Sequence, residues 1–117
     1  MIFIYNESCS KCSALSRHLA DRGFSWDTIR YMDGDLSEEL VDTIFADYDG
    51  PRSDLIRQHE EEWSQSGLDV QSMDLSELRR FVMKHPVVLQ RPIVIVEGRV
   101  IIARPPEVLW EILTETH

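Results

Sequence analysis

Positive charge is what this chain is shortest of. Twelve Lys and Arg residues stand against twenty-one Asp and Glu, a net charge of −9 at pH 7. Nucleic-acid binding needs a basic footprint that neutralises phosphates, so a direct nucleic-acid partner is excluded. An anionic membrane surface is excluded on the same ground. Long apolar runs are missing too. None approaches the ~20 residues of a membrane span. Met1 leads straight into a strand-like run, without the basic region and longer apolar stretch of an export signal. A cytoplasmic location follows as the expectation. Repeats, low-complexity tracts and flexible linkers are absent. Cysteine is scarce, with two residues in 117. That is too few for a disulfide scaffold, and at this length, with 43% hydrophobic residues, a core forms without staples. One domain spanning residues 1–117, acting as a monomer, is expected. The histidines His18, His59, His85 and His117 are scattered and no second paired motif exists, so no metal site is expected.

The two cysteines that are present stand three apart, in Cys9-Ser10-Lys11-Cys12. The motif follows the apolar run Ile2-Phe3-Ile4-Tyr5 and opens a helical pattern. Spacing i, i+3 places both sulfurs on one face of the first helical turn. There the unpaired backbone N–H groups and the helix dipole favour an anion. The thiolate is that anion, and it is also the nucleophile. Cys9 therefore reads as the reactive thiol and Cys12 as the residue able to resolve it into a disulfide. Close cysteines in a chain without an export signal favour redox chemistry over a structural bridge.

The order of elements supplies the frame. Residues 2–5 are an unalternating apolar run, suited to a central strand buried on both faces. Cys12, Leu15 and Leu19 recur at helical spacing over 10–22, with Gly23 as terminator. Residues 24–32, with Trp26, Thr28, Ile29 and Tyr31, predict a second strand, so 2–32 forms a β-α-β unit. Ser37 predicts a capped amphipathic helix through Phe45, stopped by Asp49-Gly50-Pro51. Ser53 predicts the cap of a short helix carrying Leu55, Ile56 and Arg57. Glu60-Glu61-Glu62 with Trp63 reads as helical, its charged face solvated. Asp74 and Glu77 form a capping-box pattern ahead of Leu75, Leu78, Phe81 and Val82, and His85-Pro86 ends that helix. Ile93–Val96 and Val100–Ile102, joined by Glu97-Gly98-Arg99, predict a hairpin. Pro105-Pro106-Glu107 opens a last helix with Val108, Leu109, Ile112 and Leu113 on one side. The whole is an α/β thioredoxin-like fold, with core segments 1–35 and 86–117 and a helical insertion at 36–85.

Three arginines qualify the motif. Arg91 precedes Pro92 at the entry to a strand. In a thioredoxin-like fold that proline is cis and lies beside the reactive cysteine. Arg104 ends the second hairpin strand, on the same edge of the sheet. Arg57 belongs to the helical lobe. Guanidiniums converging on a thiolate lower its pKa and hold a tetrahedral oxyanion through bidentate hydrogen bonds.

Asn6-Glu7-Ser8-Cys9, Leu55-Ile56-Arg57, the block from His85 to Val94, and Arg104-Pro105-Pro106-Glu107-Val108-Leu109 resemble the glutaredoxin-coupled arsenate reductases and their relatives, the Spx-type regulators. The resemblance runs from about residue 2 to residue 113. It implies Cys9 as nucleophile, Arg57, Arg91 and Arg104 as the oxyanion site, no bound cofactor, glutathione as co-substrate, and glutaredoxin or thioredoxin as partner. The substrate is a small oxyanion or a thiol compound. The arsenate reductases carry a histidine four residues before a single cysteine. This chain has Tyr5 at that position, and Cys12 as a second cysteine, as in the Spx-type branch. The alternative implied by that branch is a redox-sensing regulator that binds RNA polymerase through a Cys9–Cys12 switch.

Overall fold

The computed structural model describes residues 1–116. Four strands form one sheet in the order β2-β1-β3-β4. Strand β1 (Ile2–Tyr5) lies parallel to β2 (Asp27–Arg30) and antiparallel to β3 (Ile93–Val96), which pairs with β4 (Arg99–Ile102). Helix α1 (Ser10–Asp21) makes the crossover between β1 and β2. The lobe contributes α2 (Glu38–Asp47), the single turn α3 (Glu61–Ser64) and α4 (Leu75–Lys84), and α5 (Glu107–Thr116) closes the fold. This is a thioredoxin-like arrangement with the helical segment placed before its closing hairpin.

Strand alternation sorts the core into two layers. Phe3, Val94, Val96 and Ile101 pack with Leu15, Leu19, Leu109 and both cysteines on the α1/α5 side. Ile4, Ile93 and Val100 pack with Val41, Ile44, Leu78, Val82 and Tyr31 on the lobe side. Phe3 and Ile4 are each fully buried on opposite faces, as a central strand covered on both sides requires. Caps fix the lobe helices. Ser37 Oγ accepts from the Leu40 N–H at 3.1 Å, and Asp74 and Glu77 close a reciprocal capping box.

Four local expectations are corrected. The strand expected over 24–32 is confined to 27–30. Phe24 still belongs to the end of α1, because Gly23 (φ +80°) and Phe24 donate back to the Ala20 and Leu19 carbonyls, the Schellman pattern. Tyr31–Asp33 wind into a 3-10 turn. Ser53 caps no helix: Arg52–Leu55 is a 3-10 turn, and Ile56 then bridges antiparallel to Leu89, so Arg57 follows extended backbone. In the hairpin, Arg99 already belongs to β4. The turn is Glu97-Gly98 alone, with φ of +49° and +77°, the two positive values a tight I′ turn requires. On α5, Leu109, Ile112 and Leu113 are buried, but Val108 is exposed.

Candidate active site

The site forms at the end of β1, where the chain turns into α1. Asn6 organises the turn. Its carbonyl accepts the Cys9 N–H at 3.0 Å and its Oδ1 accepts the Ser8 N–H at 2.9 Å. Its Nδ2 donates to the Tyr31 hydroxyl at 3.3 Å. Cys9 then sits at the N-cap of α1 with extended φ and ψ, and the first turn holds no acidic residue to compete for the helix N-terminus. Both cysteines are free thiols, Cys9 nearly and Cys12 fully buried.

The two sulfurs are driven apart electrostatically. Burial alone would raise the Cys9 pKa. The Cys12 and Lys11 backbone N–H groups, the Cys12 thiol and the Arg91 charge outweigh it and hold the thiol below its ordinary value. The Cys9 thiol closes no capping hydrogen bond, so these amides act by favouring the charged form. Cys12 is pushed up to about 11, mainly by burial and also by the neighbouring Cys9, against opposition from the Asn6 N–H and Arg91. One sulfur is thus made easier to ionise and the other harder, the difference that attacking and resolving thiols require.

The three arginines are placed differently. Arg91 interacts with Cys9 and with the Tyr31 hydroxyl. Burial works against its cation, but these contacts outweigh burial and raise its pKa above the ordinary value. Its Nε is buried and has no acceptor among the described residues. An unmet buried donor is costly, so an incoming acceptor is favoured there. Pro92 follows through a cis bond, as does Pro105 after Arg104; the second was not expected. Arg104 is exposed, and its Nε donates to the Arg91 carbonyl at 2.7 Å, which holds it at the lip. Arg57 already has partners. Its Nε and Nη2 both lie 3.1 Å from Glu60 Oε1, and Nη2 lies 3.1 Å from His59 Nε2. Beside Lys11 and Arg104 runs a groove of about 310 Å³, floored by Leu15, Ala103 and Pro105 and flanked by His18. Among the described residues no group of three or more His, Cys, Asp or Glu stands together as a metal site, and no helix is long and apolar enough to cross a membrane.

Asn6 and Tyr31 were not marked as site residues by sequence. Asn6 offered one signal, its position between the strand and Cys9. Tyr31 offered none. Only the parallel pairing that sets Tyr5 opposite Arg30 brings it to this end of the sheet. Tyr5, in the histidine position of the reductases, places its hydroxyl 3.4 Å from Ser13 Oγ.

The ArsC family profile matches residues 4–112. An arsenate reductase of Neisseria meningitidis is 32% identical over 111 residues, covering 93% of this chain and 94% of that protein. An arsenate reductase of Escherichia coli is 25% identical over 113 residues, covering 97% and 80%. Among solved structures, an arsenate reductase from Vibrio cholerae superposes with a TM-score of 0.83 at 26% identity, covering 95% of each chain. These likenesses favour the reductase expectation over the Spx-type one.

Proposed function

From its membership of the ArsC family, to which this chain belongs, we propose that it is a thiol-dependent oxidoreductase acting on arsenate or a similar oxyanion, with Cys9 as nucleophile. One observation carries the reading above the others: Cys9 at the N-terminus of α1 faces the Arg91 guanidinium. The thiolate attacks arsenic(V) and one oxygen leaves as water. Arg91, with its spare Nε donor, holds the oxyanion as charge redistributes, with Arg104 at the lip and Arg57 from the lobe. A second thiol then attacks. The two sulfurs leave joined as a disulfide, having lost two electrons, and arsenic is released as arsenic(III), having gained them.

We take the second thiol to be glutathione, approaching along the groove edged by Lys11 and Arg104, with glutaredoxin or thioredoxin restoring the free thiols. A second reading draws on the nearness of Cys12. Here the chain reduces disulfides, Cys12 displaces the mixed disulfide from Cys9, and the arginines hold a glutathione carboxylate. Purified protein supplied with glutathione and glutaredoxin should consume reducing equivalents when arsenate is added, and Cys9→Ser should lower that rate about 1000-fold or more. Arsenate-dependent consumption no greater than in the Cys9→Ser control rejects the first reading. A disulfide substrate turned over in the same assay establishes the second.

A further inference from the structure

Of the guanidiniums proposed to serve Cys9, one already has an anion. Arg57 gives two donors, each at 3.1 Å, to Glu60 Oε1. Both side chains are largely withdrawn from solvent, with 11% and 22% exposed, so the pair is not screened like an open surface contact. We propose that Glu60 is a specificity-determining residue: a resident carboxylate that occupies the Arg57 fork and lowers the charge of the anion this site accepts. The inference rests on the reading of Cys9 and the arginines as an oxyanion site, and it names the ligand charge that site selects.

The geometry leaves the two groups little room to part. The Glu60 N–H donates to the Arg57 carbonyl at 3.0 Å, closing a tight turn between them. Behind Glu60, Trp63 is buried and its N–H returns to the Glu60 carbonyl at 3.0 Å. Behind Arg57, its own N–H is fixed to the Val88 carbonyl at 2.7 Å, on the segment that leads into Arg91. A guanidinium fork matches a carboxylate and a tetrahedral oxyanion with the same donors. An oxyanion can gain the Nε/Nη2 edge of Arg57 only by displacing Glu60. If it binds without displacement, it meets a negative charge that offsets one of the three cations. Either way the resident carboxylate opposes the ligand in proportion to the ligand's charge. A dianion such as arsenate or sulfate is penalised about twice as much as a monoanion of the same shape, in free energy.

Glu60→Gln keeps the shape of the side chain and removes its charge. Sulfate and methanesulfonate serve as probes, tetrahedral oxyanions of charge −2 and −1, read by their protection of Cys9 from iodoacetamide. Sulfate affinity should rise about tenfold in Glu60→Gln and methanesulfonate affinity about threefold, the square root that halving the charge implies. Arg57→Ala should weaken sulfate binding only slightly in the native background and about tenfold in Glu60→Gln, because only there is the Arg57 charge uncompensated. Unchanged sulfate affinity in Glu60→Gln overturns the proposal, as does an equal Arg57→Ala effect in both backgrounds. Glu60→Ser is the second variant should the amide disturb the turn, with circular dichroism as the check. Failure of the reductase reading shows separately, as absent arsenate turnover while the sulfate shift persists.

Discussion

Phe3 and Ile4 are neighbours in β1, each without exposed surface, and they point into different halves of the molecule. The Phe3 side, under α1 and α5, holds both sulfurs in a small apolar cluster. The Ile4 side is the larger cluster, built from the lobe helices, and it holds Tyr31. Arg91 stands on the seam, interacting with Cys9 from the first cluster and Tyr31 from the second. The difference teaches that the surroundings of Cys9 draw on both packing units. The α1 face supplies Cys9 and its helix N-terminus. The lobe face supplies the buried hydroxyl beside Arg91 and, at Arg57, a guanidinium with its own counter-charge.

The division is broken most strongly by opening a cavity on each side. Leu78 on α4 and Leu15 on α1 are both buried, Leu78 fully, in the lobe and cysteine clusters respectively. Replacing either with Ala should cost about 3 kcal/mol of stability, seen as a lowered urea midpoint. Only Leu15→Ala should also move the pH profile of Cys9 alkylation, since Leu15 lies one turn beyond Cys12 and seats the helix that bears Cys9. An equal move in Leu78→Ala means the faces are one electrostatic unit.

The next effect lies within the cysteine face. The folded Cys12 pKa, about 11, is above the ordinary thiol value of 9.0. Folding therefore favours the protonated form. Its contribution is fully present below pH 9 and is lost as pH rises towards 11, because the unfolded thiol ionises first. The loss is on the order of 2 kcal/mol. Tyr48 adds a loss of the same sign at higher pH, its hydroxyl raised to about 12 by burial and its bond to Asp54. Comparison with Cys12→Ala isolates the thiol. Under reducing conditions the native protein should lose more stability between pH 8.5 and pH 10.5 than the variant. Parallel curves mean that Cys12 is not held as a thiol.

The same two faces explain what could be read from residues alone. On the α1 face the determinants are local. The Cys9/Cys12 spacing, the Leu15 and Leu19 recurrence and the terminator Gly23 act within a few residues, and the helix formed as they predict. In the hairpin the β-branched runs sufficed, and Glu97 at positive φ marks where the turn tightened by one residue. The lobe face was harder. Arg57 was expected on a helix, but Ile56 pairs with Leu89, more than thirty positions away, and nothing near Ser53 encodes that partner. Tyr31 looks like one more strand aromatic until the sheet pairing brings it to Asn6. Glu60 read as part of a solvated acidic run, and the tertiary turn made it the partner of Arg57. Long-range pairing set the positions of Arg57 and Tyr31, and local propensity is silent on it.

The smallest change tests the seam itself. Tyr31→Phe removes one oxygen and leaves the ring in its packing. The Asn6 amide loses its 3.3 Å acceptor and the Arg91 guanidinium loses a partner that favours its placement beside Cys9. Losing the hydroxyl should cost about 1 kcal/mol in the urea midpoint. A purely structural tyrosine would give that and nothing more. Because Asn6 carries the Cys9 turn and Arg91 carries the opposing charge, the variant should also move the alkylation profile of Cys9 to higher pH, with Arg91→Ala moving it further in the same direction. Tyr31→Phe added to Arg91→Ala should then produce less additional shift than it does alone, since one route from Tyr31 to the sulfur is already gone. A stability loss with an unmoved profile would leave the lobe face as scaffold only, and the electrostatics of Cys9 would belong to α1 and Arg91.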